Sequence, residues 1–411
     1  MKRSSRPRIL ALIQAGGKGS RLDVLTRERP KPALPFAGTY HLIDFPLSNL
    51  RNSGVEDVWL SVQYLGQPLA ELVAGGKPWD LDRHHGGFQL LMPQEGGGAP
   101  AEDGFASGNA EDLFAQRDRI REHDPDVVLV LSSDHVYSLD YRDVVAQHLA
   151  NDADCTIVTT QIGIDEAHNH ATVQSNKSGK VTKFAYKPEK PRTGTIATEV
   201  FCYSPEPLLQ TLEELHRDLA GRPEPDPEGL GDFGDRLIPA LLKRGKVFSY
   251  KLPGYWRDLG RPETYLAAHH DLLQEDLDIF NDSDWPIRTN QPQLLPAQVH
   301  GGAKISGSLL SPGCVVHGTV TNSVLGPGVT VAAGAVVADS VLNSGVTVDS
   351  GARVHWSVID DGTRLGGNAT VGRKHRGSDR LDPDLITLVG RDCRIDGDVE
   401  RGARVEPGSV L

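Results

Sequence analysis

Residues 14–36 read QAGGKGSRLDVLTRERPKPALPF. They follow the apolar run Ile9-Leu10-Ala11-Leu12-Ile13, so a buried strand ends on a glycine-rich loop, where parallel α/β sheets present ligands. Gly16, Gly17 and Gly19 let the backbone approach an anion and turn N–H groups toward it, while Lys18, Arg21 and Lys31 supply countercharge. A phosphate chain is the ligand class this predicts. The loop is neither a P-loop nor a dinucleotide fingerprint: no Gly-Lys-Ser/Thr closes it, and no third glycine falls at the dinucleotide spacing.

Outward from that loop, short apolar strands alternate with helical stretches to about residue 271, the pattern of an α/β domain with a mostly parallel sheet covered by helices. Strands are predicted at 58–63, 127–131, 156–160 and 200–203, and a helix that stops on Gly54 precedes the first of these. A Pro- and Gly-rich loop spans 221–231, and a polar connector follows near 276–296. The domains expected are 1–275, a linker over 276–298, and a second domain over 299–411.

That second part has a different rhythm. Apolar residues recur at Leu325, Val331, Val337, Leu342, Val348, Val354, Ile359, Leu365 and Val371, with spacings of six, six and five repeated. A coil is thus seventeen residues, three short strands with one shortened corner, the period of a parallel β-helix. The rhythm breaks over 373–387 and resumes at Val389, Ile395, Val405 and Leu411. Glycines at 326, 328, 334, 345, 351 and 362 fall between these positions, where tight corners favour positive φ.

With 411 residues the chain exceeds one ordinary core. A formal charge of -12 and a pI near 5.7 exclude the basic stripe of a nucleic-acid binder, so any polyanion must be met locally. Cys155, Cys202, Cys314 and Cys393 form no close pair, which indicates neither a disulfide framework nor a zinc site and fits a reducing, cytoplasmic setting. The first residues are basic, but the apolar run behind them is too short for a signal-peptide core, and no segment approaches transmembrane length.

Several side chains are candidates for chemistry. Strand 127–131 runs into Ser132-Ser133-Asp134-His135, and a carboxylate there can hold Mg²⁺ against phosphate oxygens, or simply cap a helix. Asp258, in GYWRDLG, is a second acidic candidate that would otherwise pair with Arg257. Two carboxylates facing a cationic glycine loop make a metal-assisted phosphoryl or nucleotidyl transfer site. Lys183 and Lys187, in VTKFAYKPEKP, are candidate grips for a substrate phosphate or else solvated lysines on an edge strand. His84-His85 on a polar loop is a poor metal site, and His300, His317 and His355 sit in the β-helix, where scaffold is the ordinary role and acyl transfer the alternative.

AGGKGSRL, RPKPALPF, GTYHLIDFPLSNLRNSGV, SSDHVYSLDY, DFGDRLIP, GYWRDLG and NDSDWPIRT, in order over nearly the whole chain, resemble the ADP-glucose pyrophosphorylase family. The resemblance implies a Rossmann-like nucleotidyltransferase domain, a C-terminal left-handed parallel β-helix and a homo-oligomer, dimer or tetramer. It implies a nucleoside triphosphate and a sugar 1-phosphate as substrates. Arg21 and Lys31, with Gly16, Gly17 and Gly19, would hold the triphosphate; Gln94, Gly108 and Asn109 would lie near the base; Asp134 and Asp258 would hold the catalytic Mg²⁺; and Lys187, with Tyr186 and Glu199, would meet the sugar phosphate.

The departures from the family pattern predict a changed substrate. Tyr186-Lys187-Pro188 stands where glucose-using members have Glu-Lys-Pro, Ile196-Ala197-Thr198-Glu199 replaces Ala-Ser-Met-Gly, His170-Ala171 replaces a Phe-Gly step, and Gly108-Asn109-Ala110-Glu111 replaces Gly-Thr-Ala-Asp. Thr39 occupies the place of a regulator-binding lysine, which removes the basis for that form of allosteric control. These changes are similar to those expected of the valienol-1-phosphate guanylyltransferase branch of antibiotic-type aminocyclitol pathways, with a cyclitol 1-phosphate as acceptor and GTP or ATP as donor. The alternatives are an ATP:glucose-1-phosphate adenylyltransferase of glycogen synthesis and a non-catalytic regulatory subunit.

Overall fold

A computed structural model of the chain describes residues 6–16, 19–92, 108–222, 226, 229–374 and 382–411. In the first part, strands β1 (Ile9–Ala15), β4 (Asp57–Val62), β5 (Gly87–Leu91) and β6 (Val127–Ser132) form a parallel block in the order β5-β4-β1-β6, after a small ribbon of β2 (Pro35–Phe36) and β3 (Tyr40–His41). Strand β11 (Thr195–Tyr203) runs antiparallel to β6 and joins the block to β8 (Cys155–Gln161), β9 (Thr172–Ser175), β10 (Val181–Ala185) and β12 (Val247–Lys251), a nine-stranded sheet in all. The expected strands and the mostly parallel core are present.

The apolar run of β1 has a direct reading. Leu10 and Leu12 pack into one core layer with α3 (Asn109–Ala115), α6 (Pro205–Ala220) and α7 (Leu237–Arg244), and Ala11 and Ile13 into the other with α1 (Asp44–Asn52), α2 (Gly66–Val73) and α5 (Tyr141–Ala150). A strand with helices on both faces needs apolar residues at every position. Gly54, at φ 71°, follows α1 and supplies the left-handed stop expected there.

After α8 (Pro262–Leu273) the chain winds from Gln298 into a left-handed parallel β-helix with three sheets of six, five and six strands among the described residues. Thr330 pairs with Thr347 and Thr347 with Arg364, so the seventeen-residue coil is real. All nine positions from Leu325 to Val371 named above are fully buried, and Val389, Ile395 and Val405 are buried too. Leu411 is exposed although its backbone still pairs with Arg394 and Asp396 of the preceding coil, so at this position the pairing continues without the expected burial. Five of the six corner glycines have positive φ; Gly326 does not, and is small because a Cβ there would lie 2.8 Å from the Asn343 carbonyl carbon of the next coil. Ser323, Ser340 and Ser357 build a ladder in which each later backbone N–H donates to the preceding hydroxyl at 3.1 and 3.2 Å.

A fourth core cluster joins the two parts. It unites Leu22, Leu34, Phe36 and Tyr265 with Val324, Val341, Val358 and Leu388 of the β-helix. Within it the buried Arg29 guanidinium bridges Asp360 and Asp361, the latter at 2.8 Å, and Asn343 donates to Asp360 at 2.8 Å. No described helix is long and apolar enough to cross a membrane.

Candidate functional site

The C-terminal ends of β1, β4 and β6 open on a cavity of about 380 Å³. Beyond β6 the chain makes a short ribbon, β7 (His135–Tyr137) against β13 (Trp256–Asp258), in which Asp258 faces His135. This ribbon brings the two candidate carboxylates together across more than a hundred residues of sequence. Lys31 arrives from the opposite side on a single 3-10 turn, Lys31–Ala33, framed by Pro30 and Pro32. Its Nζ donates to Asp134 Oδ2 at 2.5 Å and to Asp258 Oδ1 at 3.1 Å. A Cβ on Gly260 would sit 2.9 Å from Asp258 Oδ1, 3.0 Å from Lys31 Nζ and 3.4 Å from Arg21 Nη2, so all three converge on one point and only glycine fits behind them.

Burial alone would raise the Asp134 carboxyl, but the charges of Lys31 and His135 hold it well below the ordinary carboxylate range, and the same balance lowers Asp258. His135 Nε2 lies 3.3 Å from Asp134 Oδ1, while its Nδ1 is held at the Thr198 carbonyl, 3.1 Å away. Asp134, His135 and Asp258 offer ligand atoms within 4.8 Å of one another. The donor set fits a hard divalent cation: two carboxylates supply the oxygens, and the imidazole is better placed as their neighbour than as a ligand for Mg²⁺. Sequence reading did not single out His135, although it directly follows Asp134.

On the far side of the cavity, Lys187 Nζ donates to the Tyr186 hydroxyl at 2.7 Å, and that hydroxyl donates to Asp232 Oδ2 at 2.6 Å. The Tyr186 ring lies against Gly234, where a Cβ would come within 2.1 Å of it. Burial and the bond to Asp232 push the Tyr186 hydroxyl far above its ordinary pKa, so it is a neutral donor at all working pH. Lys187 itself has φ 41° and Glu199 φ 56°, two left-handed residues facing the same space. Glu199 is exposed to the open cavity, yet its place deep among protein atoms raises its carboxyl, a shift that His135 opposes and the charges of Asp134 and Asp258 reinforce. His170 also lines the cavity, its pKa pushed down to about 4, chiefly by burial.

A third group surrounds the end of β1. Gln14 Nε2 donates to the Asn109 carbonyl at 2.8 Å and to Asp112 Oδ2 at 3.2 Å; Ser61 Oγ donates to Asp112 Oδ1 at 2.7 Å. Burial pushes the Asp112 carboxyl up, and hydrogen bonds from Ser61, Gln14 and Gln63 pull it back. Gln63 packs over Gly16. Asn109 uses its side-chain oxygen to accept from the Phe233 N–H at 2.6 Å, so it fastens the 232–234 loop as well as lining the cavity. Gly108 abuts Gly231, whose carbonyl oxygen would be 2.3 Å from a Cβ.

Of the residues picked out from sequence, Gly16, Arg21, Lys31, Gly108, Asn109, Asp134, Tyr186, Lys187 and Glu199 line this one cavity, and Asp258 touches it through Lys31. Gly19 does not line it: at φ 65° it forms the turn before residues 20–26, and its carbonyl accepts from Leu22 and Thr26. Gly17, Lys18 and Gln94 lie outside the described residues. Lys183 is exposed on the edge strand β10 and stays out of the cavity, as do the exposed His84 and His85. His300 and His317 stack on each other at 4.0 Å on the β-helix surface, and His355 is buried there. Gln14, Asp112, Asp232 and Gly234 were not singled out, since only the fold carries them to the same cavity.

The family described as nucleotidyl transferase matches residues 10–275, and the GlmU-like C-terminal hexapeptide family matches 294–381. A glucose-1-phosphate adenylyltransferase of Thermotoga neapolitana is 40% identical over 96% of this chain and 92% of its own. Enzymes of the same name from Clostridium perfringens, 39% identical over 81% of this chain and 84% of theirs, and Bacillus thuringiensis, 35% identical over 81% and 86%, are further relatives.

Proposed function

Since the chain belongs to the ADP-glucose pyrophosphorylase family of nucleotidyl transferases, we propose that the cavity is its active site and joins a nucleoside triphosphate to a sugar-like 1-phosphate. An oxygen of the 1-phosphate attacks the α-phosphorus, the bond from that phosphorus to the β-phosphate oxygen breaks, and pyrophosphate leaves. The observation that carries this reading is the convergence of Arg21 and Lys31 on Asp134 and Asp258 at the end of the glycine loop. Such a transfer needs no covalent nucleophile; it needs alignment and cations where charge builds on the phosphates. Arg21 and Lys31 neutralise the triphosphate, and Lys187 orients the acceptor phosphate. Asp134 and Asp258 would hold Mg²⁺, which when bound supplies Lewis-acid charge neutralisation. The working division is a nucleotidyltransferase domain over 1–275, a linker over 276–298 and a β-helix over 299–411.

For the substrate pair, the relatives' name supports ATP and glucose 1-phosphate. A second reading, a cyclitol 1-phosphate with GTP, is favoured by the acceptor side of the cavity. There the Tyr186 ring is locked between Asp232 and Gly234, its hydroxyl proton given to Asp232 and its oxygen accepting from Lys187, so an aromatic face stands where glucose-using members carry a Glu side chain. Pyrophosphate release with each of four nucleoside triphosphates, against glucose 1-phosphate and valienol 1-phosphate, tests both. Release with neither acceptor would overturn the reaction, and release with glucose 1-phosphate alone would overturn the cyclitol reading.

A further inference from the structure

The cavity has three groups of polar side chains, and two have partners in the reaction as read above. Cations and carboxylates around Lys31 face phosphates; Lys187 and its neighbours face the acceptor. The third group, Gln14, Gln63 and Asp112, carries no cation among its described residues and lies where the nucleoside end of the donor remains to be placed.

Its hydrogen-bonding character is one-sided. The Gln14 amide nitrogen is fixed by two acceptors, the Asn109 carbonyl and Asp112 Oδ2, so both its protons are used and its oxygen is the atom left to meet a ligand. Asp112 is 7% exposed, lines the cavity, and accepts from Ser61, Gln14 and Gln63; an ionised carboxylate has about four acceptor positions, which leaves about one beyond these three bonds. Such a pair of acceptors, Asp112 buried and Gln14 partly so, is best matched by a ligand edge with adjacent N–H donors. Guanine offers N1–H beside its 2-amino group; adenine offers a 6-amino group beside an acceptor nitrogen, which would face the carboxylate and be repelled.

We propose that Asp112 and Gln14 are the base-reading edge of the donor site and select guanine, making GTP the preferred nucleotide. This rests on the nucleotidyl-transfer reading for the identity of the ligand, and it is tested by binding, which needs no acceptor. The full-length protein is titrated calorimetrically with GTP, inosine triphosphate and ATP. GTP binds at least tenfold more tightly than ATP, with inosine triphosphate, which keeps N1–H and lacks the 2-amino group, between them. Asp112→Asn weakens GTP by tenfold or more and leaves ATP within about threefold. Equal affinities in the unaltered protein, tighter ATP, or a variant that weakens both nucleotides alike would overturn the proposal. Should the variant fail to fold, the three-nucleotide series on the unaltered protein still decides. Selective GTP binding without pyrophosphate release for any acceptor would sink the reaction and spare the base assignment; release driven best by ATP would do the reverse.

Discussion

At the scale of single residues, the buried Lys31 is the cation on which two partly buried carboxylates depend. Replacing it with Met leaves Asp134 and Asp258 side by side without the cation they share, Ser132 and His135 remaining beside Asp134, at a cost somewhat under the about 3–5 kcal/mol of a fully buried pair near neutrality. The sign with pH follows from the lowered carboxyls. A group whose folded pKa lies below its unfolded value adds stability that is full above about pH 4 and is lost as pH falls through the folded value. Lys31→Met forfeits that contribution and raises at least one carboxyl instead, so the gap in urea midpoint between variant and unaltered protein narrows from pH 7 to pH 4. A gap independent of pH would contradict the carboxylate pairing. Asp134→Asn keeps the shape and removes the charge: turnover falls by about 10³-fold or more while the melting temperature of the metal-free protein stays within a few degrees. Asp134 was legible from sequence because it follows the apolar strand 127–131, and Asp258 as the acidic residue of GYWRDLG. His135 and Asp112 were not, because only the β7–β13 pairing and the docking of α3 beside β1 decide what they face.

At the scale of elements, α5 docks through His148, buried between the Thr156 hydroxyl at 3.0 Å and the Ser204 hydroxyl at 3.1 Å. Burial pushes this imidazole down to about 4, with Asp152 pulling the other way. The unfolded chain therefore takes up the proton first, so the helix's contribution is whole above pH 6.5 and drains away between 6.5 and about 4, by at most about 1.4 kcal/mol per pH unit. His148→Gln should flatten that limb of the stability profile, read by denaturant unfolding at half-unit steps. On the acceptor side, Gly234→Ala drives a methyl into the Tyr186 ring, and the expected result is a KM for the acceptor raised about tenfold or more with nucleotide binding unchanged. The β-helix was the most readable element, since nine apolar positions keep a single register. Its exceptions are local: Gly326 is small because the next coil crowds it, and the left-handed corner held by Asn322 and Asp339 is taken in the following coil by Trp356, which packs on His270 of α8.

At the scale of the whole molecule, the fourth core cluster and the Arg29 bridge tie the β-helix to the catalytic part. Periodicity revealed each part and was silent about their contact, because Arg29 and Asp360 are separated by more than three hundred residues and neither lies in a motif that asks for the other. Arg29→Met leaves the buried Asp360 with Asn343 but without its cation, while Asp361 keeps Arg391, and should lower stability by about 3–5 kcal/mol. Scanning calorimetry of the variant would show it as a lower melting temperature; an unchanged one would mean the bridge contributes nothing.

The segment that makes this bridge is Arg29-Pro30-Lys31-Pro32: one side chain reaches into the β-helix, and two residues later another reaches Asp134 and Asp258 at the cavity. With prolines between and after them, the two anchors keep a fixed separation. For recombination between relatives, the heritable module boundary is therefore not the connector before Gln298. A chimera that exchanges the β-helix at that connector, without the matching 29–43 segment, inherits a mismatched anchor beside Lys31. One that exchanges both together inherits a working pair, and the turnover of the two chimeras would tell them apart.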